Sequence, residues 1–325
     1  MSYAFPEGYT LRHPTMDDLG AALAVITATD LAESGETRTD ESDLRQEWAG
    51  ADLANDAWLV TDPAGQVVAY AMLFNRAGVQ LVGDVYLHPH YQGRGIGSAL
   101  TGTIEARAAA LLPLAPPDAR VTLSSYTNAP NARATALLLH EGYAVVRRNW
   151  EMDIDLIAPP PAPIWPRGLV ARPFVPGQDD RAVYETISEA FDDMWGHLPR
   201  PYADWRTHTV ERPDFDPALW AIVEEGGKPV AAICCYRFGE RGHIRNLGVR
   251  RPWRQRGLAL ALLHQAFGLF WARGVTAIDL GVDAESLTGA MRLYERAGMR
   301  VAREFLHWEK ELRPGVDPST RALAD

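Results

Sequence analysis

Apolar residues fall along this chain in short runs that break at turn signals. The stretches "AWLVTDPAGQVVAYAMLF" (57–74) and "LWAIVEEGGKPVAAICCY" (219–236) each hold two such runs around a glycine-bearing turn. Each predicts a two-stranded hairpin, with the glycine free to take a positive φ. Further strands are expected at 84–88 and 246–250, at 120–126 and 276–282, and in "NWEMDIDL" and "FLHWEKEL". Helical patterns lie between them, over 130–140 and 287–296 and after the glycine-bearing loops near 95 and 257. Asp17/Asp18 and Asp179/Asp180 stand near the start of two earlier helical segments, where a helix dipole favours negative charge. Strands alternating with helices predict an α/β fold, a mixed sheet flanked by helices with a strand–loop–helix unit at its centre.

The pattern occurs twice. "LRHPTMDDLGAAL" (11–23) matches "ARPFVPGQDDRAV" (171–183), and the two hairpins match each other, with Trp58 and Trp220 in equivalent places. "VYLHPHYQGRGIGSAL" (85–100) matches "LGVRRPWRQRGLALAL" (247–262), and "ALLLHEGYAVV" (136–146) matches "MRLYERAGMRVA" (291–302). The order is the same and the offset stays near 160 residues, so the chain reads as a diverged duplication. "APPPAPIWP" (158–166) lies between the copies, an extended, semi-rigid connector by its proline content. The expected domains are 1–157 and 168–313, joined by the linker 158–167 and followed by a solvated tail, 314–325.

Composition narrows the classes. The 325 residues exceed the usual single core and suit two domains. A net charge of −10 argues against general nucleic-acid binding. No apolar run approaches a membrane span and the N-terminal stretch lacks a signal-peptide pattern, so a cytoplasmic protein, monomer or homodimer, is expected. Cys234 and Cys235, neighbours on a predicted strand, point to opposite faces and are expected as free core residues. His88 and His90 have no third ligand nearby, so no metal is expected.

The candidate chemistry lies in the two loops. Gln92-Gly93-Arg94-Gly95-Ile96-Gly97 and Arg254-Gln255-Arg256-Gly257-Leu258-Ala259 each follow a strand and open a helix. Free amides and the dipole of a helix start, small residues that allow close approach, and arginine donors together make a pyrophosphate cradle. The three-glycine dinucleotide pattern and the Gly-Lys-Ser/Thr pattern of nucleotide loops fit less well.

Gln/Arg-x-x-Gly-x-Gly/Ala after a strand resembles the signature of the GNAT superfamily of N-acetyltransferases, and the resemblance covers roughly 10–156 and 168–312. It implies two tandem GNAT acyl-CoA N-acyltransferase domains with acetyl-CoA as co-substrate and a small-molecule amine as acceptor. It implies that the pyrophosphate sits on the loop amides and that pantetheine pairs with the preceding strands at Val85 and Leu87, and at Leu247 and Val249. In "LYERAGM", Tyr294 stands four residues before Gly298, where family members often carry the acid that protonates the CoA thiolate. The first copy has Leu138 there. Asn131 matches an asparagine often found near pantetheine; Ser286 lies at the corresponding place in the second copy. The family's central-strand base corresponds to Asp84 in the first copy and Asn246 in the second. Asp192, Asp193, Trp195 and His197 fall where early helices wall the acceptor site. The expectation is an enzyme in which the amine attacks the thioester directly, with the C-terminal half catalytic and the N-terminal half binding cofactor or supporting structure. Alternatives are a non-catalytic CoA-binding sensor or interaction module, and an acyltransferase using another acyl-CoA.

Overall fold

The computed structural model describes residues 4–37, 39–286 and 289–319. The elements run β1 (Thr10–Arg12), α1 (Leu19–Ser34), α2 (Glu41–Ala49), α3 (Leu53–Asp56), β2 (Ala57–Thr61), β3 (Val67–Arg76), β4 (Gln80–Leu87), α4 (Ile96–Leu111), β5 (Val121–Asn128), α5 (Ala132–His140) and β6 (Ala144–Asp155). They continue β7 (Leu169–Pro173), α6 (Asp180–Phe191), α7 (Tyr202–Thr207), β8 (Ala221–Glu225), β9 (Lys228–Phe238), β10 (Arg241–Val249), α8 (Leu258–Trp271), β11 (Ala277–Asp283), α9 (Ala290–Arg296) and β12 (Arg300–Arg313).

The chain divides into two compact units, 1–147 with 305–318 and, for the most part, 148–304. In unit 1 the strand order is β1-β2-β3-β4-β5-β12, antiparallel except where β4 meets β5. In unit 2 it is β7-β8-β9-β10-β11-β6, antiparallel except where β10 meets β11. Helices cover both faces of each sheet. α1 and α4 pack on β3 and β4; α6 and α8 pack on β9 and β10. The strands in the middle are buried on both sides, so β3 and β9 read as continuous apolar runs rather than alternating ones. Equivalent ion pairs anchor the first helix of each unit: Arg12 clamps Asp18 at 2.6 Å and Arg172 clamps Asp179 at 2.6 Å.

The expected boundaries are corrected by the last strands. β6 was expected to close the first copy and β12 the second. Instead Asn149–Asp155 of β6 pairs with β11 in unit 2, and Phe305–Arg313 of β12 pairs with β5 in unit 1. Met152 lies fully buried in the core of unit 2. β12 is held in unit 1 by Arg120 on Glu309 and Glu311, by Lys310 on Glu105, and by the Trp308 indole donating to Thr127. A period-two pattern specifies a strand's faces and not its partner, and near-repeat copies offer two equivalent edges, so an exchange of identical elements costs little.

The tail is also corrected. Val316 exchanges backbone hydrogen bonds with Asp118 and Arg120, and Asp317 meets Arg120 at 3.2 Å, so 314–318 docks on unit 1; residues 320–325 lie outside the described residues. In the connector, Ile157 and Ile164 are exposed while Trp165 packs on the core of unit 2. The helix expected at 287–296 begins at Ala290; 287 and 288 lie outside the described residues. Cys234 and Cys235 are buried and free.

Candidate active site

Both units contain a fork. β4 and β5 pair in parallel only at Gln80–Val82 with Thr122–Ser124, and β10 and β11 only at Arg241–His243 with Ala277–Asp279. Beyond those pairs the strands part, while β3 and β9 stay paired on the other side through Leu87 and Val249. The inner edges of Val85 and Leu87, and of Leu247 and Val249, thus face the opening; the Leu87 carbonyl accepts from Thr29 and the Val249 carbonyl from Arg254. One difference is local. β10 carries a register shift between Ile244 and Asn246, a bulge placed directly after the fork; β4 has none.

Each fork leads to its loop through one short 3-10 turn, 89–91 or 251–253. The loops share a backbone. Gly93 and Gly95 have φ 77° and 84°, and Gln255 and Gly257 have φ 61° and 86°. Two left-handed residues, one apart, turn the strand into the first turn of α4 or α8. A side-chain carbon added at Gly93, Gly95 or Gly257 would meet nothing within 4 Å, so these backbones face open space at a helix start. That donor set suits a phosphate group.

The arginines differ. Arg94 donates to the Tyr9 hydroxyl at 2.9 Å and to the His90 carbonyl, and lies over the Tyr91 ring. Gln92 accepts from Arg133. In unit 2, Arg254 donates to Asp193 at 2.6 Å and to the carbonyls of Ala190 and Val249. Arg251 donates to the same Asp193, and Arg256 meets Glu225 at 3.4 Å. Asp193 was expected to face the acceptor; its buried carboxylate is instead clamped by the two guanidinia, which hold it below the usual carboxylate range against the opposing effect of burial. Arg254 spends its donors on protein atoms for the same reason.

Family models match in both units: "Acetyltransferase (GNAT) domain" over residues 54–144 and "Acetyltransferase (GNAT) family" over 181–299. A mycothiol acetyltransferase of Kineococcus radiotolerans is 31% identical over 304 residues, covering 90% of this chain and 94% of that one. The chain belongs to the GNAT acetyltransferase family. It is a tandem N-acetyltransferase. A GCN5-related N-acetyltransferase of Sphaerobacter thermophilus superposes with a TM-score of 0.87 at 40% identity, covering 97% of this chain and 99% of that one. A tandem GNAT protein from the clavulanic acid biosynthesis pathway shares the fold at TM-score 0.70 and 16% identity, covering 95% of this chain and 100% of that one. No helix among the described residues is long and apolar enough to cross a membrane.

On this GNAT scaffold, Tyr294 lies on α9, which packs against α8 after the second fork. Burial pushes its phenol up to about 12, so it stays protonated at neutral pH. Leu138, its counterpart on α5, is buried and apolar. Asn131 caps α5 by accepting from the Ala134 amide at 2.9 Å and donates to Glu33 at 2.6 Å. Ser286 lies in the turn after β11, its amide donating to Asp283. Asp192 ends α6 with its side chain exposed, 4.0 Å from the His197 imidazole; burial lowers the His197 pKa. Trp195 lies in the turn between them.

Sequence reasoning missed the surroundings of Asp84. Asp84 and Tyr86 face the α1 and α2 side of β4, the side opposite Gly83, which abuts Ile104 of α4. Tyr86 stacks on Tyr70 with ring centroids 6.1 Å apart, and the Tyr70 hydroxyl accepts from the Trp48 indole at 2.8 Å. Desolvation pushes the Asp84 carboxyl up to about 6, and desolvation with the Asp84 charge pushes Glu47 up to about 7. Glu47 lies on α2, a polar helix whose pairing to β3 no local pattern reveals.

Proposed function

We propose that the protein transfers the acetyl group of acetyl-CoA directly to a primary amine of a small molecule, with turnover in unit 2 and unit 1 holding cofactor or supporting the fold. The observation that carries this is Tyr294, a half-buried, protonated phenol on the helix that packs against α8, against Leu138 in unit 1. The relatives' name, mycothiol acetyltransferase, supports a small-molecule acceptor; only that class is carried over.

The thioester supplies an activated acyl carbon. The amides of 254–259 and the start of α8 bind the pyrophosphate end. The unpaired edge of β10 past His243 aligns the pantetheine arm, and its amides polarise the thioester carbonyl. Tyr294 gives its proton to the departing sulfur; raised to about 12, the phenol is a weaker acid than a thiol, so the transfer is completed as the phenol oxygen recovers a proton from the acceptor nitrogen. Arg254 and Asp193 act one step back, holding the loop to α6.

A second reading has one observation in its favour. Asp84, held at about 6 beside Glu47 in unit 1, is a carboxylate suited to accept an amine proton. Release of CoA thiol from acetyl-CoA over an amine panel separates the two. Tyr294→Phe is expected to lower kcat by about 10²–10⁴ with the acetyl-CoA Kd unchanged, the usual cost of losing a positioned acid. Full kcat in Tyr294→Phe together with none in Asp84→Asn moves the active site to unit 1.

A further inference from the structure

We propose that His243, oriented by Asp279, is the group of unit 2 that takes the proton from the acceptor amine, an inference that rests on unit 2 carrying turnover. Asn246 occupies the family's central-strand position and cannot do this. His243 can. Its Nδ1 lies 2.6 Å from Asp279 Oδ1, and the other carboxylate oxygen accepts from Arg241 Nε at 3.2 Å. An ionised Asp279 held at both oxygens fixes the proton on Nδ1 and leaves the Nε2 lone pair to accept, with no hydrogen bond to Nε2 among the described residues.

The placement is what points to the reaction. His243 and Asp279 are the last Cα pair before β10 and β11 part, and the bulge follows at once. Gly242 faces Phe270 of α8, so His243 projects from the opposite face. Tyr294 belongs to α9, which packs on α8. An acyl carbon in the fork then has the proton acceptor on one face and the proton donor on the other, as direct attack and departure require. The Phe238 ring lies 5.7 Å from His243 and Tyr236 stands across from it on β9. The charged groups around them are Arg241 and Asp279 on the fork strands, Arg245 on the bulge, and Arg212 over the Tyr236 ring with its partner Asp214. Unit 1 supplies the control. Its corresponding fork pair is Val82 with Ser124, both buried, neither able to take a proton at neutral pH.

In the step proposed, the ammonium gives one proton to His243 Nε2. The freed nitrogen lone pair forms the N–C bond, and the C–S bond breaks. The Tyr294 proton goes to sulfur, and the second nitrogen proton replaces it on the phenol oxygen. The products are the amide, CoA thiol and one proton, which leaves the imidazolium for solvent.

The test follows CoA thiol release with glucosamine, spermidine and tyramine as acceptors, over the background of acetyl-CoA hydrolysis. His243→Gln is expected to lower kcat by about 10²–10⁴ with the acetyl-CoA Kd from calorimetry unchanged. Added imidazole should restore part of the rate to His243→Gly, which a purely structural role would not allow, and Asp279→Asn should lose less than His243→Gln. If Tyr294→Phe slows turnover and His243→Gln does not, the inference falls and the reading of unit 2 stands. If neither slows it, or the unaltered protein releases no thiol above background, both fall. A slow His243→Gln with a weakened Kd and no imidazole rescue makes the histidine structural and overturns the inference.

Discussion

Unit 1 and unit 2 share a strand order and differ where their central strands part. Unit 1 has glycine at both left-handed loop positions and an Arg94 whose hydrogen bonds among the described residues go to the Tyr9 hydroxyl and the His90 carbonyl. Its fork pair is Val82 with Ser124, and stacked Tyr70 and Tyr86 line the strand beyond. Unit 2 forces Gln255 into the left-handed region and ties Arg254 and Arg256 to Asp193 and Glu225. Yet its fork carries a bulge and a histidine–aspartate pair, and Tyr294 follows on α9. The copy with the less encumbered loop lacks a counterpart of the histidine–aspartate pair and of Tyr294, and carries Asp84 and Glu47 instead. The loop follows the strand and the fork opens within it, so after duplication each can drift without the other.

The largest expected effect comes from exchanging the residues past the forks. Tyr86 pairs with Tyr70, and the equivalent pair in unit 2 is Gly248 with Ala232. A side-chain carbon on Gly248 would lie 2.8 Å from Ile187 and 3.0 Å from Ala190, because α6 rests directly on that strand. Gly248→Tyr should destabilise unit 2 by at least the ~1–3 kcal/mol of ordinary overpacking, since a whole ring has no room. Urea unfolding with hydrogen exchange on β10 measures it. A fully stable Gly248→Tyr would show that α6 can move off the strand and that the two acceptor faces are interchangeable.

A smaller effect tests the carboxylates of unit 1. The folded pKa of Asp84 is raised to about 6 by burial. The folded state therefore binds this proton more tightly than the unfolded chain does. No stability is lost below pH ~3, where both states are protonated; the loss builds from about pH 4 as pH rises to about 6 and is complete above it. Asp84→Asn should then stabilise the protein by up to about 3 kcal/mol at pH 8 and by nothing near pH ~3. An equal gain at both pH values would mean the carboxyl is not desolvated.

Much of this was legible before any coordinates. Period-two runs and glycine turns located the hairpins, the loops and their helices, because those features are local. Partner choice was not. Nothing in "NWEMDIDL" or "FLHWEKEL" distinguishes the edge of β11 from that of β5, so the strand exchange was invisible. The His243–Asp279 pair was hidden by one residue. Aligned on the loops, His243 falls opposite Leu81, which faces the α4 side; the bulge shifts it opposite Val82, on the other face. A bulge leaves no composition signal at Arg245. The clamp on Asp193 is not legible locally, because its partners, Arg251 and Arg254, lie on a distant segment.

The smallest effect sharpens the loop comparison itself. Gln255 holds φ 61° where unit 1 has Gly93 at φ 77°. A left-handed residue other than glycine costs about 1–2 kcal/mol, while glycine loses ~0.5–1 kcal/mol to the freedom it has when unfolded. Gln255→Gly should therefore gain about 0.5–1 kcal/mol, and Gly93→Gln, whose added Cβ meets nothing within 4 Å, should lose a similar amount. The sign is the informative part. A loss in Gln255→Gly would mean that the glutamine side chain contributes contacts worth more than the strain, and the second loop would then be an alternative solution to phosphate binding rather than a worn copy of the first. Urea midpoints of the two variants, read against acetyl-CoA affinity by calorimetry, decide between these.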